Sequence, residues 1–141
     1  MGISSIFLDS SYLIAYFNTN DALHTQACEI GKILKPEINP LIISNYIFLE
    51  ITTVLSQKAG RHLARTVGEY ILSTSSIRCI HIDPSLHHKT WTLFQTIGQK
   101  DIGFVDCSII AAMKAEGITT LLTFDTHFKK LQKHHRFSLY A

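Results

Sequence analysis

Cysteine is scarce in this chain. Three thiols in 141 residues, Cys28, Cys79 and Cys107, are odd in number and lack C-x-x-C spacing, which argues against a disulfide framework and a thiolate zinc site and for reduced, packed thiols. Three prolines and seven glycines leave no Pro- or Gly-rich linker. There is no internal repeat or low-complexity tract, so one domain over residues 1–141 is expected. No apolar run reaches the roughly 18 residues that a bilayer span needs, and no basic N-terminal stretch precedes a cleavage site. The expectation is a cytoplasmic protein without membrane association. G-x-x-x-x-G-K-[ST], G-x-G-x-x-G and G-x-S-x-G are all missing, which removes nucleotide cradles and a serine-hydrolase elbow. Charged residues make up 17% of the chain and the net charge is +2, too weak to name a polyanionic partner.

What is present is apolar sequence, 46% of residues, arranged in alternating periods. Residues 4–9 (SSIFLD), 41–44 (LIIS), 77–82 (IRCIHI) and 118–124 (ITTLLTF) read as buried strands, and RFSLY near the C-terminus as a short additional one. Helices are predicted over residues 10–18, 21–35 with Asp21 as N-cap, 45–59 closed by Gly60, 61–73, 84–98 opened by Pro84, and 104–116 stopped by Gly117. A last helix is capped by Asp125. Strands separated by ten or more helical residues need crossover connections. The predicted fold is therefore α/β, a three-layer α/β/α sandwich around a central parallel sheet.

Acidic residues fall at informative places. Asp9 ends the first strand and Asp125 follows the fourth, at the rim where open parallel sheets build their sites. Helix capping is the simpler role for either. Glu50 is harder to explain that way, because its i−4, i−3 and i+4 neighbours are Tyr46, Ile47 and Val54, an apolar stripe. Asp106 sits on a similar stripe with Ile109, Ile110 and Met113. Neither stripe carries a matching cation in sequence. Four carboxylates meeting would repel by about 4 kcal/mol per neighbouring pair at 4 Å and an effective dielectric constant of 20. Such a cluster demands a cation, and oxygen ligands suit Mg²⁺ or Mn²⁺.

Other features carry weaker signals. Lys129, Lys133 and Arg136 would share a face of the last helix and, with Lys130, contact phosphates or simply face solvent. Arg61 and Arg65 carry the same ambiguity and could meet an acidic partner. His81, His87 and His88 do not share a helix face and read as solvated or packed residues. His24 reads as a structural contact. Trp91 and Phe94, at helical spacing, read as core and not as a base-stacking platform.

Three stretches together resemble the PIN-domain family, and within it the VapC-type ribonuclease toxins of toxin–antitoxin pairs. In FLDSSYLIAYFNTNDALHTQA a strand-ending Asp is followed by hydroxyl residues, an apolar helix and an Asp-x-x-His step, Asp21 and His24. In ISNYIFLEI a Ser precedes the acid by six residues, Ser44 and Glu50. In IGFVDCSIIAAMKAEGITTLLTFDTHF an Asp-headed helix, a Gly and an apolar strand lead to Thr123, Asp125 and Phe128. The resemblance implies an endoribonuclease that hydrolyses RNA phosphodiester bonds with Mg²⁺ or Mn²⁺. Its catalytic and metal-holding acids would be Asp9, Glu50, Asp106 and Asp125, with Asp9 and Asp106 as direct ligands. Ser10 and Thr123 would supply hydroxyl support and Asp101 an outer-shell acid. A homodimer is implied, and an antitoxin whose tail enters the active-site groove. The chain departs from the pattern at Thr126, where many such toxins have Arg, with His127 one step later. Competing readings are an RNA-processing nuclease of the same fold that is not a toxin, and a non-catalytic RNA- or protein-binding module. A phosphoacceptor regulator ranks last, because half the acids lie on helices and IHIDPS offers only Asp83.

Overall fold

Ile6-Phe7-Leu8 and Leu41-Ile42-Ile43-Ser44 are buried at every position. Successive strand residues face opposite sides, so both faces of these strands must be covered. A computed structural model, which describes residues 4–140, shows how. Strands β1 (Ile6–Leu8), β2 (Leu41–Ser44), β3 (Ile77–Ile80), β4 (Thr120–Leu122) and β5 (Ser138–Leu139) form one sheet in the order β3-β2-β1-β4-β5, with every pairing parallel. The helices flanking it are α1 (Ser10–Phe17), α2 (His24–Ile33), α3 (Asn45–Ala59), α4 (Arg61–Ser73), α5 (Pro84–Thr96), α6 (Phe104–Glu116) and α7 (Gln132–His135). This is the expected α/β architecture. No helix among the described residues is long and apolar enough to cross a membrane.

The chain lays β2 and β3 on one side of β1 and then crosses to lay β4 and β5 on the other. The switch point thus lies between β1 and β4, where diverging crossovers leave a crevice beyond the strand ends. Leu8 pairs with Leu122 in the register, and the Asp9 amide donates to Leu122 O at 2.9 Å. The backbone leading to Asp9 and that leading to Asp125 therefore leave the sheet side by side. The core beneath is built from Phe7, Leu8, Ile43, Ile47, Ile51, Leu55, Ile109 and Leu121, all essentially inaccessible.

Local signals explain most helix ends. The Ser44 hydroxyl accepts from the Ile47 amide at 3.2 Å, and the Asp83 carboxylate accepts from Leu86 at 2.8 Å with Pro84 in the first turn, each satisfying an amide the helix leaves unpaired. Gly117 ends α6 at φ 69°, ψ 27°, a conformation in which a Cβ is strained.

Four expectations are corrected. Asp21 is not the cap of α2: its carboxylate accepts from the Leu23 amide and its carbonyl from His24, a local turn that delays the helix to His24. The third strand stops at Ile80, because the Ile82 amide turns to the Asn45 side chain at 2.7 Å. The last helix is broken into a 3-10 turn (Thr126–Lys130) and α7, with Arg136 left-handed at φ 49°, so Lys129, Lys133 and Arg136 do not share a helix face. Trp91 and Phe94 are not core but 46% and 38% exposed. The core-facing side of α5 is Leu86, Thr90, Leu93 and Ile97.

No atom lies within 4 Å of a Cβ built on Gly117, so Gly117→Ala should cost backbone strain alone, about 1 kcal/mol. Thermal melting should show a drop of a few degrees with an unchanged circular dichroism spectrum.

Candidate active site

Asp9 occupies the cap position of α1 but makes no side-chain capping bond. Its Oδ2 accepts instead from Ser11 Oγ at 2.8 Å and from Thr123 Oγ1 at 2.7 Å. Each hydroxyl also accepts a backbone amide, Phe124 N on Ser11 and Asp125 N on Thr123, both at 3.0 Å. A hydroxyl that donates to a carboxylate and accepts an amide has a fixed orientation. The two together clamp a carboxylate only 2% exposed to the turn that follows β4. Burial of that charge is tolerable because it is hydrogen-bonded twice.

The other three acids stand around this clamp. Glu50, on the second turn of α3, receives Ser10 Oγ on Oε1 at 2.5 Å. Burial pushes its carboxyl above the ordinary range, the Ser10 bond opposes this, and the charges of Asp9 and Asp106 push it further up. Asp106 lies in the first turn of α6, where its Oδ2 accepts the Gly103 amide at 2.9 Å. It too is raised, first by burial and then by Asp9 and Asp125, against the Gly103 bond and His127. Asp125, at the head of the 3-10 turn, is raised by burial and then by Asp9, with His127 opposing and Glu50 adding. Strand ends β1 and β4 and helices α3 and α6 thus bring the four acids within electrostatic reach of one another. Glu50 and Asp106 are half-buried at the rim, not within the core that their apolar stripes suggest.

His127 is the cation the α6 stripe lacked. Its Nε2 is buried and lies 3.2 Å from Asp106 Oδ2, yet makes no directed hydrogen bond, so the contact is one of charge proximity. Among the described residues no Lys or Arg forms an ion pair with any of the four acids. Nor do any three His, Cys, Asp or Glu side chains converge there as a metal cluster. The acids form an open carboxylate rim and not a closed cage. That donor set fits Mg²⁺, which binds through one or two carboxylates while keeping several waters, better than a metal needing an all-protein shell.

Several expected roles change. Ser10 serves Glu50, and the second hydroxyl on Asp9 comes from Ser11; only the doubled serine after the strand-ending Asp pointed to it. Asp101 stands away from the rim, exposed, with Lys130 Nζ at 2.9 Å, and Lys130 holds its carboxyl below the usual range. Lys130 is accordingly already paired. His87 Nδ1 pairs with the Tyr46 hydroxyl.

A parallel sheet with acids at its switch point defines a class. The chain belongs to the PIN-domain family: the family's PIN domain model matches residues 6–134. Among its relatives is the 23S rRNA-specific endonuclease VapC20 of Mycobacterium tuberculosis, 28% identical over 123 residues, 87% of this chain and 91% of that one. The crystal structure of M. tuberculosis VapC20, described as a Sarcin-Ricin loop cleaving toxin, superimposes with a TM-score of 0.82 at 26% identity, covering 90% of this chain and 95% of that one. VapBC2 from Rickettsia felis, bound to a fragment of promoter DNA, shares the fold with a TM-score of 0.67 at 19% identity over 96% of each chain.

The raised carboxyls have a consequence for stability. Protonation favours the folded chain at Glu50, Asp106 and Asp125, so their contribution is fully present below the ordinary carboxylate range and is lost as pH rises through the raised values. Without divalent ions the melting temperature should fall as pH rises from that range toward neutrality, and Glu50→Gln or Asp125→Asn should raise it at neutral pH. A wild-type melting temperature that climbs across the same window would contradict this.

Proposed function

We propose that this protein is a metal-dependent endoribonuclease and the toxin of a toxin–antitoxin pair. The observation that carries the reading is the rim itself: four acids with no Lys or Arg paired to them, three of them pushed up by burial and by each other's charge. A phosphodiester is an anion, so an acidic rim meets it only with a cation between them. Asp9 and Asp106 would hold Mg²⁺ or Mn²⁺, with Glu50 and Asp125 completing its surroundings. The bound ion would offset phosphoryl charge and lower the pKa of a water for in-line attack.

The remaining roles belong to the chain. Ser11 and Thr123 hold Asp9 in one orientation, and the Gly103 amide does the same for Asp106. Glu50, with Oε1 engaged by Ser10, presents Oε2 to orient or deprotonate the attacking water, and its raised pKa suits proton transfer near neutrality. RNA as substrate is supported by the name of the M. tuberculosis relative. An antitoxin partner is supported by family membership and by solved toxin–antitoxin complexes of the same fold. The exposed Lys129, Lys133 and Arg136 offer phosphate contacts, and a homodimer in the cytoplasm completes the reading. One observation favours the alternative of a non-catalytic RNA- or protein-binding module: no three ligands converge in advance of metal.

Purified protein should cleave single-stranded RNA with Mg²⁺ or Mn²⁺ and stop on chelation. Ser11→Ala and Thr123→Val should each cost roughly 10–100-fold, the usual effect of losing a carboxylate's orienting partner, and Asp9→Asn or Asp106→Asn more. Cleavage by the two Asn variants at the wild-type rate would sink the proposal.

A further inference from the structure

On α5, residues 87, 91 and 94 lie one and two turns apart on a single face. That face points away from the core and carries His87, Trp91 and Phe94, all exposed. Their rings continue into those of neighbouring helices. Trp91 stacks on Phe94 with centroids 6.0 Å apart and planes 24° from parallel. Phe94 meets Phe104 edge-on at 5.8 Å, Phe104 meets His87 at 5.3 Å, and His87 meets Tyr46 at 5.9 Å. The last two rings are near the acids in the chain: Tyr46 lies one helical turn before Glu50 on α3, and Phe104 two residues before Asp106 on α6. A continuous row of five rings therefore runs from the carboxylate rim out to solvent.

Such a row is costly to leave uncovered, and its composition narrows what covers it. The large apolar side chains that α5 exposes are Trp91 and Phe94, both aromatic, where a face built only to bury area would use aliphatic residues as well. The helix carries His87, His88 and Lys89 but no Asp or Glu, so a phosphate backbone can run beside it without repulsion. Rings interleaved with cations and leading to a phosphodiester-cleaving site match a single strand, whose every base offers a π-face.

We propose that Trp91, Phe94, Phe104, His87 and Tyr46 form a stacking track for unpaired RNA bases flanking the scissile phosphodiester. The proposal rests on the ribonuclease reading, since only a nucleic-acid substrate brings bases to this rim. It confines the substrate to single-stranded or loop segments, because paired bases have no free face to offer.

Trp91 is the single tryptophan, so intrinsic fluorescence reads the track directly. Asp9→Asn protein with Mg²⁺, titrated with a short single-stranded RNA, should show saturable quenching that inorganic polyphosphate does not reproduce. Trp91→Ala and Phe94→Ala in the same background, with unchanged circular dichroism, should bind a labelled RNA about tenfold more weakly by anisotropy. RNA binding without quenching, equal quenching by polyphosphate, no RNA binding, or a fluorescence change driven by protein concentration alone, the mark of a second copy on this face, would each overturn the track. If wild-type protein cleaves RNA while any of these holds, the track fails and the ribonuclease reading stands. If wild-type protein does not cleave, the reading beneath it fails whatever Trp91 does.

Discussion

The clamp on Asp9 is the constraint on which the rest of the site depends. A carboxylate buried at a strand end would destabilise the fold or lose its proton affinity control without donors, and the two donors come from different parts of the chain, Ser11 at the start of α1 and Thr123 at the end of β4. Because those hydroxyls also accept the amides of Phe124 and Asp125, one small network fixes the acid, the crossover end and the position of Asp125 together. Sheet topology supplies the rest, since the reversal of direction between β1 and β4 opens the crevice in which the network sits.

Around that clamp the protein accumulates negative charge it does not neutralise. Structural carboxylates usually find Lys or Arg; here the chain provides Lys130 for the exposed Asp101 and leaves the rim with His127 alone. Stability is thus spent where chemistry would use it, a pattern that perturbed carboxyls in a cleft commonly mark. The open arrangement also explains how the rim tolerates itself in the absence of metal: the acids are close enough to raise one another but are held apart by Ser10, the Gly103 amide and the clamp.

The sequence made the sheet and its rim legible because both follow from local rules. Apolar tetrads between amphipathic segments force parallel strands, and an acid on an apolar helix stripe, as at Glu50 and Asp106, is anomalous without any structure. What stayed hidden depended on neighbours far along the chain. Ser11 is indistinguishable from Ser10 until β4 arrives with Thr123. Asp101 is five residues before Asp106 yet faces Lys130. Trp91 and Phe94 have core spacing, but α5 fills its buried side with Leu86, Thr90, Leu93 and Ile97. The C-terminal cations lose their common face because the chain kinks at Leu131 and turns left-handed at Arg136.

The central claim is that the rim exists to hold a divalent cation, and calorimetric melting in a titration of Mn²⁺ at neutral pH tests it most directly. Binding only to the folded chain must raise its melting temperature by mass action. The account predicts a saturable rise in wild-type protein that Asp9→Asn largely abolishes. A wild-type melting temperature indifferent to Mn²⁺, or an equal rise in the Asn variant, would contradict it.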